Sequence, residues 1–155
     1  MNPNHLLPFL TSLIFFCLPG QGQAQELKKH PKVKVFAKAR ALDKEAVSED
    51  WTSFLGPQHN AVSKETKIQL SWPKPSGPTL LWSFAKGAGY ASPAVAGTYL
   101  VYFHRVAMKE EVICLHSETG ALRWTFSYPS QYKDRFGFSN GPRASPVIEG
   151  KVVYS

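Results

Sequence analysis

Two clusters of polar side chains hold most of the reactive groups in this chain. One is His104-Arg105. The other is a loop in which Lys133-Asp134-Arg135 is followed by Asn140 and Arg143. A carboxylate beside a guanidinium can act as a base next to an anion clamp, and a His beside an Arg can bind or orient a ligand. Solvated loops and strand ends ordinarily carry the same pairs, so both readings stand at this point. Other chemistries are absent from the spacing. There is no Cys-x-x-Cys or His-Glu-x-x-His and no carboxylate-rich loop, so no metal ligands are expected. No Gly-rich phosphate loop precedes a helix. Cys114 lies in the apolar stretch Val112-Ile113-Cys114-Leu115 and reads as a small buried hydrophobe.

The elements that must position these residues are written as a repeat. Ala91-Ser92-Pro93-Ala94-Val95-Ala96-Gly97 returns as Ala144-Ser145-Pro146-Val147-Ile148-Glu149-Gly150, and each copy leads into an apolar run. Leu81-Trp82-Ser83-Phe84 returns as Arg123-Trp124-Thr125-Phe126, 42 positions on. A period of about forty residues, in short strands with one Trp per unit, is a β-propeller pattern. Twelve Pro, eleven Gly and only 19% charged residues also favour short strands and turns over helices. The expected fold is therefore all-β, with strands over Tyr90–Ala96, Thr98–Phe103, Val112–Leu115 and Leu122–Tyr128. A loop around Val106-Ala107-Met108-Lys109 joins the second to the third. The second unit stops at Ser155, so the expectation is the opening one and a half blades of a longer propeller.

Residues 1–24 read as an export signal. Leu6 to Leu18 is largely apolar, Pro19-Gly20 ends it, and Gly22 and Ala24 place small residues before a cut at Gln25. Phe16 is too bulky to precede a lipid-modified Cys17, and no transmembrane segment is expected once the leader is removed. The protein is thus expected to be exported, to a periplasm or the extracellular space. Residues 25–50 contain seven Lys/Arg and five Asp/Glu and read as a basic, flexible tether. Because they follow an export signal, nucleic acid is not an expected partner. The ordered part, 51–155, is expected to begin at Trp51-Thr52-Ser53-Phe54-Leu55-Gly56-Pro57, where Gly-Pro closes an aromatic segment.

Cys114-Leu115-His116-Ser117-Glu118-Thr119-Gly120-Ala121-Leu122-Arg123-Trp124 resembles the blade motif of the pyrroloquinoline-quinone-like propeller repeats, Ala-x-Asp-x-x-Thr-Gly-x-x-x-Trp. Thr119, Gly120 and Trp124 match, and Trp82 takes the same place one unit earlier. Cys114 replaces Ala, and His116 stands where Asp usually closes the turn. The Trp51-to-Pro57 segment, residues 87–93 and Gly-Pro-Arg-Ala-Ser-Pro at 141–146 are also similar to secreted bacterial members of that group. The resemblance covers residues 51–155 and implies an eight-bladed propeller, with Leu80 to Phe84 as a strand that completes the last blade.

Aligning the two units on their Trp residues exposes an insertion. Ten positions separate Trp82 from Ser92, whereas twenty-one separate Trp124 from Ser145, and the excess falls within 128–140. Blade topology brings this connection to the same face as His104-Arg105, with the Gly97 and Gly120 turns at the opposite end. A basic mouth there favours an anionic partner, either a protein or a polymer. Two functional classes follow from the resemblance. One is a non-enzymatic binding scaffold with no cofactor. The other is a quinoprotein oxidoreductase, in which pyrroloquinoline quinone and Ca²⁺ would occupy the channel of the complete protein and the catalytic residues would lie in later blades.

Overall fold

The computed structural model describes residues 27–155 except Ser76, together with the backbone of Phe15–Phe16. The expected export signal therefore lies outside the described residues apart from that dipeptide. Nine strands are described, and no helix is. They are β1 (Phe15–Phe16), β2 (Val33–Val35), β3 (Trp82–Phe84), β4 (Ala94–Ala96), β5 (Tyr99–Val106), β6 (Lys109–His116), β7 (Leu122–Pro129), β8 (Val147–Glu149) and β9 (Val152–Tyr154). All the pairings are antiparallel. The centre is a four-stranded meander, β4-β5-β6-β7, accompanied by a β2-β3 pair and a β1-β9-β8 sheet.

Side chains alternate across the meander, so its two faces build two cores. On one face Val101, Phe103, Val112 and Cys114 pack with Ala94 against Ile148 and Val153. On the other, Tyr102, Ile113 and Leu115 pack against Val33, Trp82 and Phe84. Val101, Val112, Ile113 and Leu115 are almost completely buried. Each such aliphatic side chain contributes about 1.5–3 kcal/mol of burial. Both faces are covered, which explains why Val112 to Leu115 is a continuous apolar run. Cys114 is a completely buried thiol within it.

The first repeat strand is shorter than expected. Only Ala94–Ala96 pairs with β5, because the donors before it go elsewhere: Tyr90 N–H to the Pro142 carbonyl at 2.8 Å, and Ser92 N–H to Ser145 Oγ at 2.8 Å. Pro93 has no N–H to offer a ladder. The two Ala-Ser-Pro copies thus lie side by side, linked by their own serines. The expected loop at 106–109 is instead a tight hairpin. β5 and β6 pair from Tyr99↔His116 to Val106↔Lys109, leaving Ala107 (φ 52°) and Met108 to make the turn.

The expectation of a flexible tether over 25–50 needs correction. Val33–Val35 pairs with Trp82–Phe84, Val33 is buried, and Lys28 exchanges backbone hydrogen bonds with Leu122 (3.2 and 2.7 Å). The physical cause is local: Val-Lys-Val alternates apolar and charged, is β-branched, and finds an open edge on β3. Asp50 Oδ1 also accepts the Gly97 N–H at 2.7 Å and caps the β4–β5 turn. Leu80–Phe84 was expected to complete a blade, but only Trp82–Phe84 is strand, and its partner is β2. Among the described residues no helix is long and apolar enough to cross a membrane.

Candidate functional site

The functional candidates gather at the tip of the β5–β6 hairpin, where the register sets two charged pairs directly opposite each other. His104 faces Glu111 and Arg105 faces Glu110. Because successive residues point to opposite sides of a sheet, one pair lies on each face of the meander.

His104 is completely buried between the rings of Phe84 (centroids 5.4 Å apart) and Tyr102 (5.6 Å). Its Nδ1 accepts the Gly87 N–H at 2.8 Å, and Nε2 lies 3.0 Å from Glu111 Oε1. Accepting at Nδ1 leaves the proton on Nε2, so the neutral ring donates to the carboxylate. Burial lowers the pKa from its ordinary value of 6.5, and the hydrogen bond and charge of Glu111 only partly offset this. His104 therefore does not reach solvent and cannot meet a ligand. Its ring holds the backbone of 87–88 against β5, where Ala88 and Arg105 exchange hydrogen bonds at 2.9 Å. A Cβ on Gly87 would lie 2.0 Å from the Arg105 carbonyl oxygen, so only glycine fits there.

Arg105 is likewise buried. Its Nε donates to the Ala107 carbonyl (3.1 Å), and Nη1 to those of Tyr132 and Asn140 (both 2.8 Å). Nη2 donates to the Ser130 carbonyl (2.7 Å) and points at Met108 Sδ (3.8 Å). All five guanidinium donors are thereby occupied, and Glu110 Oε1 sits 3.7 Å away as counter-charge. Arg105 is not an anion clamp. It is the post around which the 128–143 loop is wound.

Asp134, Asn140 and Arg143 lock that loop from within. Asp134 Oδ2 accepts the Phe138 N–H at 2.7 Å, Oδ1 accepts Arg143 Nη2 at 3.2 Å, and Asn140 Oδ1 accepts the Asp134 N–H at 2.8 Å. Desolvation opposes ionisation of Asp134, but these donors outweigh it and hold the carboxyl below its ordinary pKa. Lys133 and Arg135 remain at the surface, Arg135 with its guanidinium 4.8 Å from the Phe136 ring centroid. Of the seven candidates, then, two are buried supports, three are ties within the loop, and two present free charge. The expectation that the hairpin tip and the 128–140 insertion meet on one face holds geometrically.

Sequence reading missed Glu110 and Glu111, which a two-residue turn at 107–108 would have placed opposite Arg105 and His104. It also missed the aromatic surface of the loop. Tyr132, Phe136, Phe138 and Tyr90 are more than half exposed, and the Tyr90 hydroxyl donates to the Phe138 carbonyl at 3.3 Å. Beside them opens a cavity of about 340 Å³ walled by Phe103, Glu110, Tyr128, Ser130, Tyr132 and residues 141–144. A second cavity, of about 420 Å³, lies across Arg143 and Ala144, between Ser53–Leu55, His59 and Val147. Among the described residues no group of three or more His, Cys, Asp or Glu could hold a metal ion.

The blade-motif residues lie at the opposite end. Trp82 Nε1 donates to the Ser117 carbonyl at 3.0 Å, and its ring lies over Gly120, where φ is +68° and a Cβ would come within 2.9 Å of the indole. Thr119 Oγ1 accepts the Ala121 N–H at 3.3 Å, and His116 Nδ1 accepts that of Glu118 at 3.3 Å. An imidazole thus makes a turn-closing bond of the kind expected from Asp. Trp124 packs on the core shared with β8 and β9. Comparison with protein-family models, curated proteins and solved structures found no match for this chain.

Proposed function

We propose that this chain is the opening part of an exported, pyrroloquinoline-quinone-like β-propeller that acts as a binding scaffold through its hairpin-and-loop face. A four-stranded meander with a smaller sheet against each face is the arrangement that successive blades require. The covered outer edges of β4 and β8 support the scaffold over the quinoprotein reading. Val95 N–H donates to the Trp51 carbonyl (2.8 Å) and Ile148 N–H to that of Thr52 (2.9 Å). On the propeller reading these edges line the axis, and the chain's own segment covers them where a channel cofactor would have to sit.

One observation carries the choice of face. The buried Arg105 fixes a loop that holds Lys133, Arg135 and several aromatic rings at the surface, and a fixed support presenting exposed charge suits recognition. An anionic partner is favoured. The test is retention of the full chain on immobilised polygalacturonate and polyglutamate at low and high salt. Retention should fall with salt and fall again in the Lys133→Ala/Arg135→Ala variant, with the melting temperature unchanged. If that variant is retained normally, or a folded Gly120-turn variant loses binding instead, the face is wrongly assigned.

A further inference from the structure

We infer that the partner of this face is an acidic polysaccharide, one sugar of which enters the cavity beside the loop. This deepens the binding-scaffold reading and rests on it. Three features converge. First, the rings of Phe136 and Phe138, their centroids 6.5 Å apart, lie open at the surface (65% and 71% exposed). Arg135 lies against one face of Phe136, but the remaining exposed aromatic surface suits the C–H faces of pyranose rings, because flat apolar area is buried while the hydroxyls at the ring edge stay wet. Second, Lys133 and Arg135 stand in the same loop and can meet carboxylates repeated along a chain.

The third feature separates a saccharide from a plain anion. Glu110 lines the cavity and is 7% exposed, and its Oε2 has no hydrogen-bond partner among the described residues. Arg105 balances its charge at 3.7 Å but has no donor left for it, since every guanidinium N–H is directed at Ala107, Met108, Ser130, Tyr132 or Asn140. A buried carboxylate oxygen without a donor is costly. An ionised phosphate or carboxylate group brings no donor of its own, and Glu110 would repel it. A sugar brings neutral hydroxyls, which bond to a carboxylate without competing with Arg105 for its charge. The cavity, at about 340 Å³ and walled by Tyr128 and Tyr132, has the scale of a small-ligand site.

The test titrates the full chain calorimetrically with hexagalacturonate, cellohexaose, hexaglutamate and vesicles of anionic phospholipid. Hexagalacturonate should bind most tightly, and cellohexaose more weakly. Both should lose about tenfold in affinity in Glu110→Gln, the loss expected for one hydrogen bond to a charged group. Phe136→Ala/Phe138→Ala should weaken both sugars by a similar factor, and Lys133→Ala/Arg135→Ala should weaken hexagalacturonate alone. If Glu110→Gln melts early, Tyr132→Ala at the exposed lip of the cavity takes its place, with the same loss expected. Hexaglutamate binding as tightly as hexagalacturonate, or sugar binding indifferent to the cavity variants, overturns the saccharide while leaving an anion-binding face. Binding to vesicles alone overturns it in favour of a membrane surface. Failure of every anionic probe removes the face itself.

Discussion

Replacing Arg105 by Met keeps an apolar stem of similar length and removes the guanidinium. Its consequence can be worked out from the contacts. Four carbonyls, of Ala107, Ser130, Tyr132 and Asn140, lose a charged donor, and Glu110 loses the counter-charge that Arg105 supplies. Hydrogen bonds to charged groups are worth about 1.5–3 kcal/mol each, but carbonyls on a surface loop regain water once the loop opens, so their sum overstates the loss. Removing one partner of a buried ion pair costs about 3–5 kcal/mol, and about 4 kcal/mol is the expected destabilisation. Arg105→Lys keeps the charge beside Glu110, but three donors on one ammonium cannot span carbonyls from four residues, so it should lose about 2 kcal/mol. Urea unfolding of the full chain, followed by tryptophan fluorescence, measures the totals. Limited trypsin digestion reads the local effect, because Lys133 and Arg135 become cleavable when the loop leaves its post. If Arg105→Met stays within about 1 kcal/mol of the parent and trypsin cuts the loop no faster, Arg105 does not hold the loop and the account of the site is wrong.

Gly87→Ala and Gly141→Ala should each destabilise by about 3 kcal/mol in the same unfolding assay, since the new Cβ atoms would lie 2.0 Å from the Arg105 oxygen and 2.2 Å from the Ala88 oxygen. A neutral result at either would mean that the 87–89 segment is not pressed against its neighbours. Burial lowers the His104 pKa below 6.5, so the unfolded chain takes up a proton first as pH falls. Its contribution is therefore complete above pH 6.5 and is lost as pH drops through the lower folded value. Stability measured at pH 7.5 and 5.5 should fall more in the parent than in His104→Gln, and equal falls would contradict the neutral, buried ring. Trp82→Phe should cost about 1–2 kcal/mol through the lost hydrogen bond to Ser117 and the thinner cover over Gly120. An unchanged urea midpoint would remove Trp82 from the packing.

The repeating part of the molecule is legible in its residues alone. The Ala-Ser-Pro copies, the spaced Trp residues and the Thr119-Gly120 turn predicted strands in order. They did so because strand alternation and glycine turns are local properties that neighbouring residues impose on one another. Local pattern also located the insertion at 128–140. Tertiary structure alone decided the roles of the polar residues. His104 and Arg105 look like ligands in a string of letters, yet both are buried supports, because a hairpin one turn tighter than expected sets Glu111 and Glu110 opposite them. Asp134 and Arg143 spend their charge on each other across nine positions of loop. Val33 becomes core only because β3 offers an unpaired edge some fifty residues away, and no periodicity within 25–50 encodes that edge. Which charges stay free depends on which carbonyls and carboxylates the fold delivers to them, and that is a property of contacts distant in the chain.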